Sequence, residues 1–312
     1  MGESASKKGG TLVARGRIRN RVRSGDRGIY VFLAPFMVLL LILGIFPAGF
    51  TLVLSFFRYS GSGPWAFLGF GNYVHLIHNP EFVSSLWNCL YLVGSTAIPL
   101  TVGGLVLAVL LDNPKVRGRK IIRTLYVLPF VTSSAIIAIV FSSLFDQSFG
   151  WINAGLRGIG LPAVPWLVSG NWTKVSVSIL IIWQFLGYNM VLMLGGLQSI
   201  PSVIHDAARV DGCTGVSHFT RIVVPLMRPT ILFCFVLSTI GVVNLFTQVY
   251  ILTGGGPLYS SETPSVFLYN YAFQYGEFGV AAAAGIIIFV ITAVVAWMQF
   301  RVFKRGAQAE EG

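Results

Sequence analysis

Six long apolar runs constrain the fold of this chain more than any other feature of its sequence. A membrane-spanning helix needs about 20 consecutive, mostly apolar residues, because each residue adds about 1.5 Å of rise. Runs of this length lie near residues 29–57, 85–111, 122–145, 175–198, 230–252 and 279–300. They are continuous and rich in Leu, Ile, Val and Gly, whereas strands of a transmembrane β-barrel alternate apolar and polar residues. The sequence therefore predicts an all-α membrane protein with six transmembrane helices.

The basic residues indicate which helix ends face the cytoplasm. The formal net charge is +11, and nearly all Lys and Arg lie in the N-terminal head, after the second run, after the fourth run, or at the C-terminus. The other loops hold only Arg58, Arg157 and Lys174. The positive-inside rule then predicts that both termini are cytoplasmic. It also explains the basic excess without a nucleic-acid partner.

The ends of the chain differ in composition from the region between them. Residues 1–28 are rich in Gly, Ser, Lys and Arg, which predicts a disordered basic cytoplasmic head. They show no pattern of a cleaved signal peptide. The six-span domain is expected at residues 29–303, followed by a cytoplasmic tail at 304–312.

The apolar runs lack the groups that ion coupling or catalysis would need. Apart from Arg123 at the start of the third run, they contain no Asp, Glu, Lys, Arg or His. This counts against a proton- or sodium-coupled transporter. The chain has no phosphate-binding G-x-x-x-x-G-K-[ST] loop, no catalytic constellation, and no metal-ligand spacing around Cys89, Cys213 or Cys234. We therefore expect no enzyme activity, no metal and no cofactor in this chain.

The fourth and fifth runs each carry several neutral polar residues instead. Gln184, Tyr188 and Asn189 lie in the fourth run, and the fifth carries Ser238, Asn244 and Gln248. Two pairs are four residues apart and so are expected to share a helix face: Gln184 with Tyr188, and Asn244 with Gln248. Two interpretations explain such residues equally well. They form hydrogen bonds between helices, or they line a wet cavity for a neutral, hydroxyl-rich ligand.

A polar stretch separates the fourth and fifth runs, and the charge pattern places it in the cytoplasm. The segment SIPSVIHDAARVDG predicts a short helix, because Ser202 follows Pro201 as an N-cap and Gly212 provides a stop. Its apolar side is small and contains alanines where a membrane-surface anchor would have large side chains. Docking into a groove of another protein is favoured, and a surface anchor is the alternative.

This stretch resembles the EAA loop of permease subunits of binding-protein-dependent ABC importers. The pattern of that loop is E-A-A, three residues, Gly, nine residues and I-x-L-P. The chain reproduces the spacing, with Asp for Glu and Val for Leu, at Asp206, Ala207, Ala208, Gly212, Ile222, Val224 and Pro225. The segments RGRKIIRTLYVLPF, SLFDQSFGWIN and TGGGPLYSSETPSVFLYNYAF resemble the carbohydrate branch, and TGGGP is most similar to the maltose-type first permease.

The resemblance implies a transport subunit of a carbohydrate ABC importer in the bacterial plasma membrane, embedded in lipid. The loop at about 202–225 would contain a coupling helix that docks on a separate ATPase dimer, which binds ATP and Mg. A second permease, an extracellular solute-binding protein and a sugar substrate are the other implied partners. The residues implied in coupling are Asp206, Ala207, Ala208, Asp211, Gly212, Ile222 and Pro225.

In the maltose-type permease, the sugar is held by residues of the third to fifth spans. Gly187, Tyr188 and Ser238 occupy positions like those of that family, while Gln184, Asn189, Asn244 and Gln248 are candidates from their polarity. Because no span interior supplies Lys or Arg, a neutral oligosaccharide is favoured. The alternatives are a glycerol phosphate permease of the same family, or a self-sufficient channel or facilitator for a neutral solute.

Overall fold

A computed structural model describes residues 25–308, and they are almost entirely helical. The predicted head lies outside the described residues except for 25–28, which are helical, and the predicted tail continues the last helix to Gln308 before it too leaves them. The helices are α1 (Gly25–Leu40), α2 (Phe46–Leu54), α3 (Gly71–His78), α4 (Pro80–Asp112), α5 (Arg119–Val131), α6 (Ser134–Leu144), α7 (Trp151–Gly158), α8 (Gly170–Gln198), α9 (Ser202–Val210), α10 (Gly215–His218), α11 (Val224–Val243), α12 (Thr247–Thr253), α13 (Pro264–Tyr269) and α14 (Phe278–Gln308).

Three π-helical turns extend these helices, at Leu41–Ile45, Phe219–Val223 and Asn270–Gln274. A short antiparallel hairpin, β1 (Phe57–Arg58) with β2 (Ala66–Phe67), follows α2. The chain divides into two units after Phe50, within α2. The hairpin and the helices from α3 onward lie in the second unit.

The all-α membrane fold is confirmed. Within residues 25–308, five helical segments are long and apolar enough to cross a membrane: Phe32–Leu54, Pro80–Asp112, Gly170–Gln198, Gly215–Val243 and Phe278–Arg301. A sixth crossing exists if α5 and α6 are counted together, although they are bent by 96° at their junction.

The predicted third span is therefore not one straight helix, and its sequence explains why. Pro129 has no backbone N–H to continue the hydrogen-bond ladder. Thr132 is extended, and its hydroxyl donates back to the Leu128 carbonyl at 2.9 Å. Side-chain hydrogen bonds of this kind compete with the helical ladder. The helix restarts at Ser134 in a new direction.

The predicted fifth span, residues 230–252, is displaced and interrupted in the structure. The helical segment begins earlier, at Gly215, because a π-helical turn and α11 accommodate Pro225 and Pro229. It ends at Val243, and α12 starts only at Thr247. A residue distant in sequence stabilises the non-helical segment between them: the buried Thr263 hydroxyl donates to the Leu245 carbonyl at 2.7 Å.

α4 and α8 form the centre of the second unit, and α5 and α11 pack beside them. Three contacts follow the two central helices from one end to the other. Ser95 Oγ lies 2.8 Å from Ser178 Oγ, Gly104 packs against Asn189, and Gln198 Nε2 donates to Asp112 Oδ1 at 3.3 Å. Residue numbers increase in the same direction along both helices from one contact to the next, so α4 and α8 run parallel. The chain between them must therefore return to the starting side, which makes the bent pair α5 and α6 a crossing.

Candidate functional site

Gln184 and Gln248 meet in the interior, where they join α8 and α12 to α6. Gln248 Nε2 donates to Gln184 Oε1 at 3.0 Å, and Gln184 Nε2 donates to the Ser134 hydroxyl at 2.9 Å. The exposed fractions of the two residues are 5% for Gln248 and 1% for Gln184. Because the amides satisfy one another, the structure places these two candidates in a network between helices.

Three other candidates line one cavity between α8 and α11, with a volume of about 190 Å³. Tyr188, Asn189 and Ser238 are the polar side chains of this cavity. Ser238 Oγ donates to Asn189 Oδ1 at 3.2 Å, and the Tyr188 ring stacks on Phe130, with ring centroids 4.3 Å apart. The rest of the lining is apolar or glycine: Leu100, Ile181, Phe185, Leu237, Gly241, Val242 and Leu245. An aromatic face beside hydroxyl and amide groups is suited to a sugar ring.

Gly187 lies on the buried side of α8 and contacts α5. A Cβ atom at this position would overlap the carbonyl oxygen of Tyr126. The absence of a side chain therefore permits the approach of α5, which brings Phe130 within stacking distance of Tyr188. Gly187 shapes the cavity through this packing.

Asn244 does not share a helix face with Gln248, so that expectation is wrong. The helix ends between them, and the Asn244 Nδ2 donates to the Ile240 carbonyl at 2.9 Å, within its own turn. Its exposed side chain lines a different cavity of about 370 Å³, between α11, α13 and α14. The structure separates Asn244 from the other candidates.

The predicted loop helix is α9, and it ends in a Schellman motif. Gly212 adopts φ = +72°, a conformation that L side chains rarely adopt. The Cys213 N–H donates to the Ala208 carbonyl at 2.8 Å, and the Asp211 N–H donates to the Ala207 carbonyl at 3.1 Å. Gly212 therefore turns the chain sharply away from α9 toward α10.

The outer face of α9 combines an acid with small and apolar side chains. Asp206 and Ala207 are exposed, whereas Ala208 is buried. Val203 and Val210 are also exposed, with exposed fractions of 73% and 87%. In α10, Val216 is exposed as well. The site prediction omitted these valines, although three apolar residues in a polar segment were a signal for a contact surface.

Two histidines hold α9 against α10. His205 Nδ1 and His218 Nε2 are 3.0 Å apart, and the rings are 5.1 Å apart. Behind them, Ile222 and Pro225 are half-buried beside the fully buried Val223 and Met227. Ile222 and Pro225 thus connect the loop to α11, whereas Asp206, Ala207, Asp211 and Gly212 lie on its exposed side.

The basic loop after α4 lies at the same end of the bundle. Arg119 donates to the Asp112 carbonyl at 2.7 Å, and Arg123 donates to the Leu111 carbonyl at 2.6 Å, so both cap the C-terminus of α4. Gln198, at the end of α8, contacts Asp112. The basic loop and the segment that leads into α9 therefore lie at the same end of the bundle.

Comparisons with known proteins agree with this geometry. Residues 101–306 match the family model described as "binding-protein-dependent transport system inner membrane component". The chain is 37% identical over 278 residues to the lactose transport system permease protein LacF of Rhizobium radiobacter, covering 87% of this chain and 92% of that protein.

Two solved structures have the same fold. One is a bacterial ABC transporter involved in the import of the acidic polysaccharide alginate, with a TM-score of 0.79 and 26% identity over 90% of this chain and 96% of that chain. The other is a bacterial alginate ABC transporter in complex with an alginate pentasaccharide-bound periplasmic protein. Its TM-score is 0.78 at 25% identity, covering 91% of this chain and 96% of the other.

Proposed function

The chain belongs to the family of binding-protein-dependent transport system inner membrane components, and on that premise we propose that it forms, with a second permease, the membrane path of an ATP-driven importer for a neutral oligosaccharide. It is a multi-pass inner membrane protein and a transport component of a sugar importer, as its relatives are. The proposed features are the second permease, ATP as the energy source and a neutral oligosaccharide as the cargo.

The exposed α9, with its Gly212 stop, is the observation that carries the proposal. Its outer face offers Asp206 and Ala207 together with exposed valines, while the His205–His218 contact and Ile222 connect it to the transmembrane helices. A short helix that is both exposed and tied to the bundle is suited to transmit movement from a docked partner. We assign that partner as an ATPase dimer, which holds ATP and Mg, and no cofactor to this chain.

The cavity at Tyr188 supports an uncharged sugar. Its lining contains two aromatic residues, one amide and two hydroxyl-bearing residues, and no charged residue. A carboxylated or phosphorylated ligand would need positive partners, which this lining does not supply. The alginate importer carries an acidic polysaccharide, so the fold alone does not decide the charge of the cargo. The side chains of the cavity are the basis for the neutral assignment.

The orientation follows from the clustering of basic loops at one end. We place the end with α9 and Arg119 in the cytoplasm, where the ATPase is, and both termini on that side. An extracellular solute-binding protein would then deliver sugar to the opposite end. The alginate importer in complex with its periplasmic protein supports such a partner.

Replacement of Gly212 tests the proposal. In Gly212→Val, the side chain would strain the φ of +72° and displace the end of α9, so we expect loss of the copurifying ATPase and of ATP-driven uptake. Gly160→Val is the matched control. Gly160 has φ = +78° and open space around it, but lies after α7, remote in sequence from α9.

The outcome separates docking from general misfolding. The Gly160→Val chain should keep its partners, and both variants should reach the membrane in similar amounts. Normal ATPase recovery and uptake with Gly212→Val would contradict the proposal. Passive sugar flux through the purified chain alone would favour a self-sufficient channel.

A further inference from the structure

A pair of acidic residues lies at the end of α4 that is opposite Asp112. Glu81 is in the first turn of α4, and Glu262 is in the loop 254–263 between α12 and α13. They are near enough for the charge of Glu81 to act on the Glu262 carboxyl group. Neither residue belongs to the cavity at Tyr188 or to the α9 surface, so the proposed transport mechanism leaves this pair unexplained.

The hydrogen bonds of Glu262 are incomplete in a specific way. The residue is fully buried, and its Oε1 accepts from Asn270 Nδ2 at 3.0 Å. Glu262 Oε2 and Glu81 Oε1 are also buried, and both lack a hydrogen-bond partner. Among the described side chains, no Lys, Arg or His forms an ion pair with either carboxyl group. A buried polar atom without a partner is rare and costly, and here two acceptors occur on neighbouring acids.

One proton satisfies both oxygens. Two neighbouring carboxyl groups, one of them fully buried, do not readily both ionise, because their charges repel and burial disfavours the charge on Glu262. Burial, followed by the charge of Glu81, raises the pKa of Glu262 from 4.5 to about 8. A proton on Glu262 turns its carboxyl group into an O–H donor, and the unpartnered oxygen of the neighbouring Glu81 is an acceptor.

The contact is part of a clamp on the loop 254–263. Asn88 lies two turns after Glu81 in α4. Its Nδ2 donates to the backbone carbonyls of Tyr259, at 2.7 Å, and Glu262, at 3.0 Å. On the other side, Asn79 caps α4 through Oδ1 and donates from Nδ2 to the Tyr271 hydroxyl at 2.6 Å. The position of the loop therefore depends on side chains of α4 at several points. The other titratable groups in this region are Tyr259, Tyr271, Tyr275 and Glu277.

We propose that Glu262 and Glu81 share one proton, and that this carboxyl–carboxylate hydrogen bond is a pH-sensitive latch that fastens the loop 254–263 to the start of α4. When the proton is lost to solvent, the charges of Glu81 and of the buried Glu262 repel each other and the loop is released. The inference goes beyond the proposed function, and it does not require α9 to dock on an ATPase.

Infrared spectroscopy of the full chain, in the complex in which it is purified, tests the shared proton directly. We expect the carbonyl stretch of a protonated carboxylic acid at neutral pH, disappearing on titration around pH 8. Glu262→Gln should remove the band and keep the fold, because its amide N–H can donate to Glu81 without titrating. Glu277→Gln, which changes an exposed carboxyl nearby, should leave the band intact.

Glu81→Gln provides a second, independent test. It removes the charge that adds to the effect of burial on the pKa of Glu262, so the band should persist with its midpoint at lower pH.

The pH dependence of unfolding provides a further test. The wild-type unfolding equilibrium constant should rise by up to about tenfold per pH unit between the ordinary pKa of Glu and pH 8, since the folded chain then holds one proton more than the unfolded chain. In Glu262→Gln this dependence should be weaker.

Three results would overturn the latch. The first is the absence of the band from the wild type at pH 7, and the second is its persistence in Glu262→Gln. The third is loss of the band on addition of sodium, potassium or calcium chloride at constant pH, with a gain in thermal stability. That last result would identify the pair as a cation site.

Discussion

Tyr188 combines two groups with separable effects. Its ring stacks on Phe130, and such an aromatic pair adds about 0.5 to 1.5 kcal/mol beyond simple burial. Tyr188 lines the cavity together with Asn189 and Ser238, and its hydroxyl is the one polar group of its side chain. A change that removes the hydroxyl alone therefore distinguishes sugar binding from packing between α5 and α8.

We expect Tyr188→Phe to preserve the thermal stability of the complex and to raise the KM of sugar uptake by roughly three- to tenfold. The reason is the loss of one hydrogen bond to the ligand, which contributes on the order of 1 kcal/mol. Uptake at several sugar concentrations, with unfolding measured on the same preparations, checks this. Asn244→Ala, outside the cavity, should have the wild-type KM; equal effects of both variants would remove the cavity from the transport path.

The breaks in α5–α6 and α11–α12 show where sequence patterns succeed and where they fail. Apolar length correctly predicts that these regions are largely helical, because that depends on local composition. It does not reveal that the helix stops at Val243, because Leu245 receives its support from Thr263, which is distant in sequence. Spacing along an assumed continuous helix therefore grouped Asn244 with Gln248 wrongly. Tyr188 and Ser238 are predicted from the family resemblance and Asn189 from its polarity, and the structure brings all three to one cavity although Asn189 and Ser238 lie on different helices.

Thr263→Val tests whether that distant hydrogen bond maintains the break. Valine has nearly the same shape but leaves the Leu245 carbonyl without its donor in a fully buried site, so we expect a loss of about 1 to 3 kcal/mol in unfolding free energy. The measurement is thermal or denaturant unfolding in detergent.

Thr292→Val is the matched control. The Thr292 hydroxyl donates only to the Ile288 carbonyl within α14, which the helix can satisfy without it. We therefore expect a change of less than about 0.5 kcal/mol. A loss from Thr263→Val no greater than that of the control would show that the break is maintained by local sequence.

The parallel arrangement of α4 and α8 constrains the topology of the whole bundle. The C-termini of both helices lie at one end, joined by Gln198 and Asp112, and the basic loop and α9 follow directly from them. In the proposed orientation, which follows the positive-inside rule, that end is cytoplasmic. The hairpin of β1 and β2, and the loop that contains Glu262, are then expected on the outer side, because they adjoin the opposite end of α4.

The native cysteines offer a direct test of this topology. Cys89 and Cys234 are buried, whereas Cys213, next to Gly212, is half-exposed. We expect a membrane-impermeant maleimide to label Cys213 in inside-out vesicles and not in intact spheroplasts. A Cys213→Ser chain with Ser62→Cys, which places a thiol in the exposed turn between β1 and β2, should show the reverse pattern. Labelling of Cys213 from the outer face would show that the orientation is the reverse of the proposed one. It would place α9 away from any cytoplasmic ATPase and so contradict its coupling role.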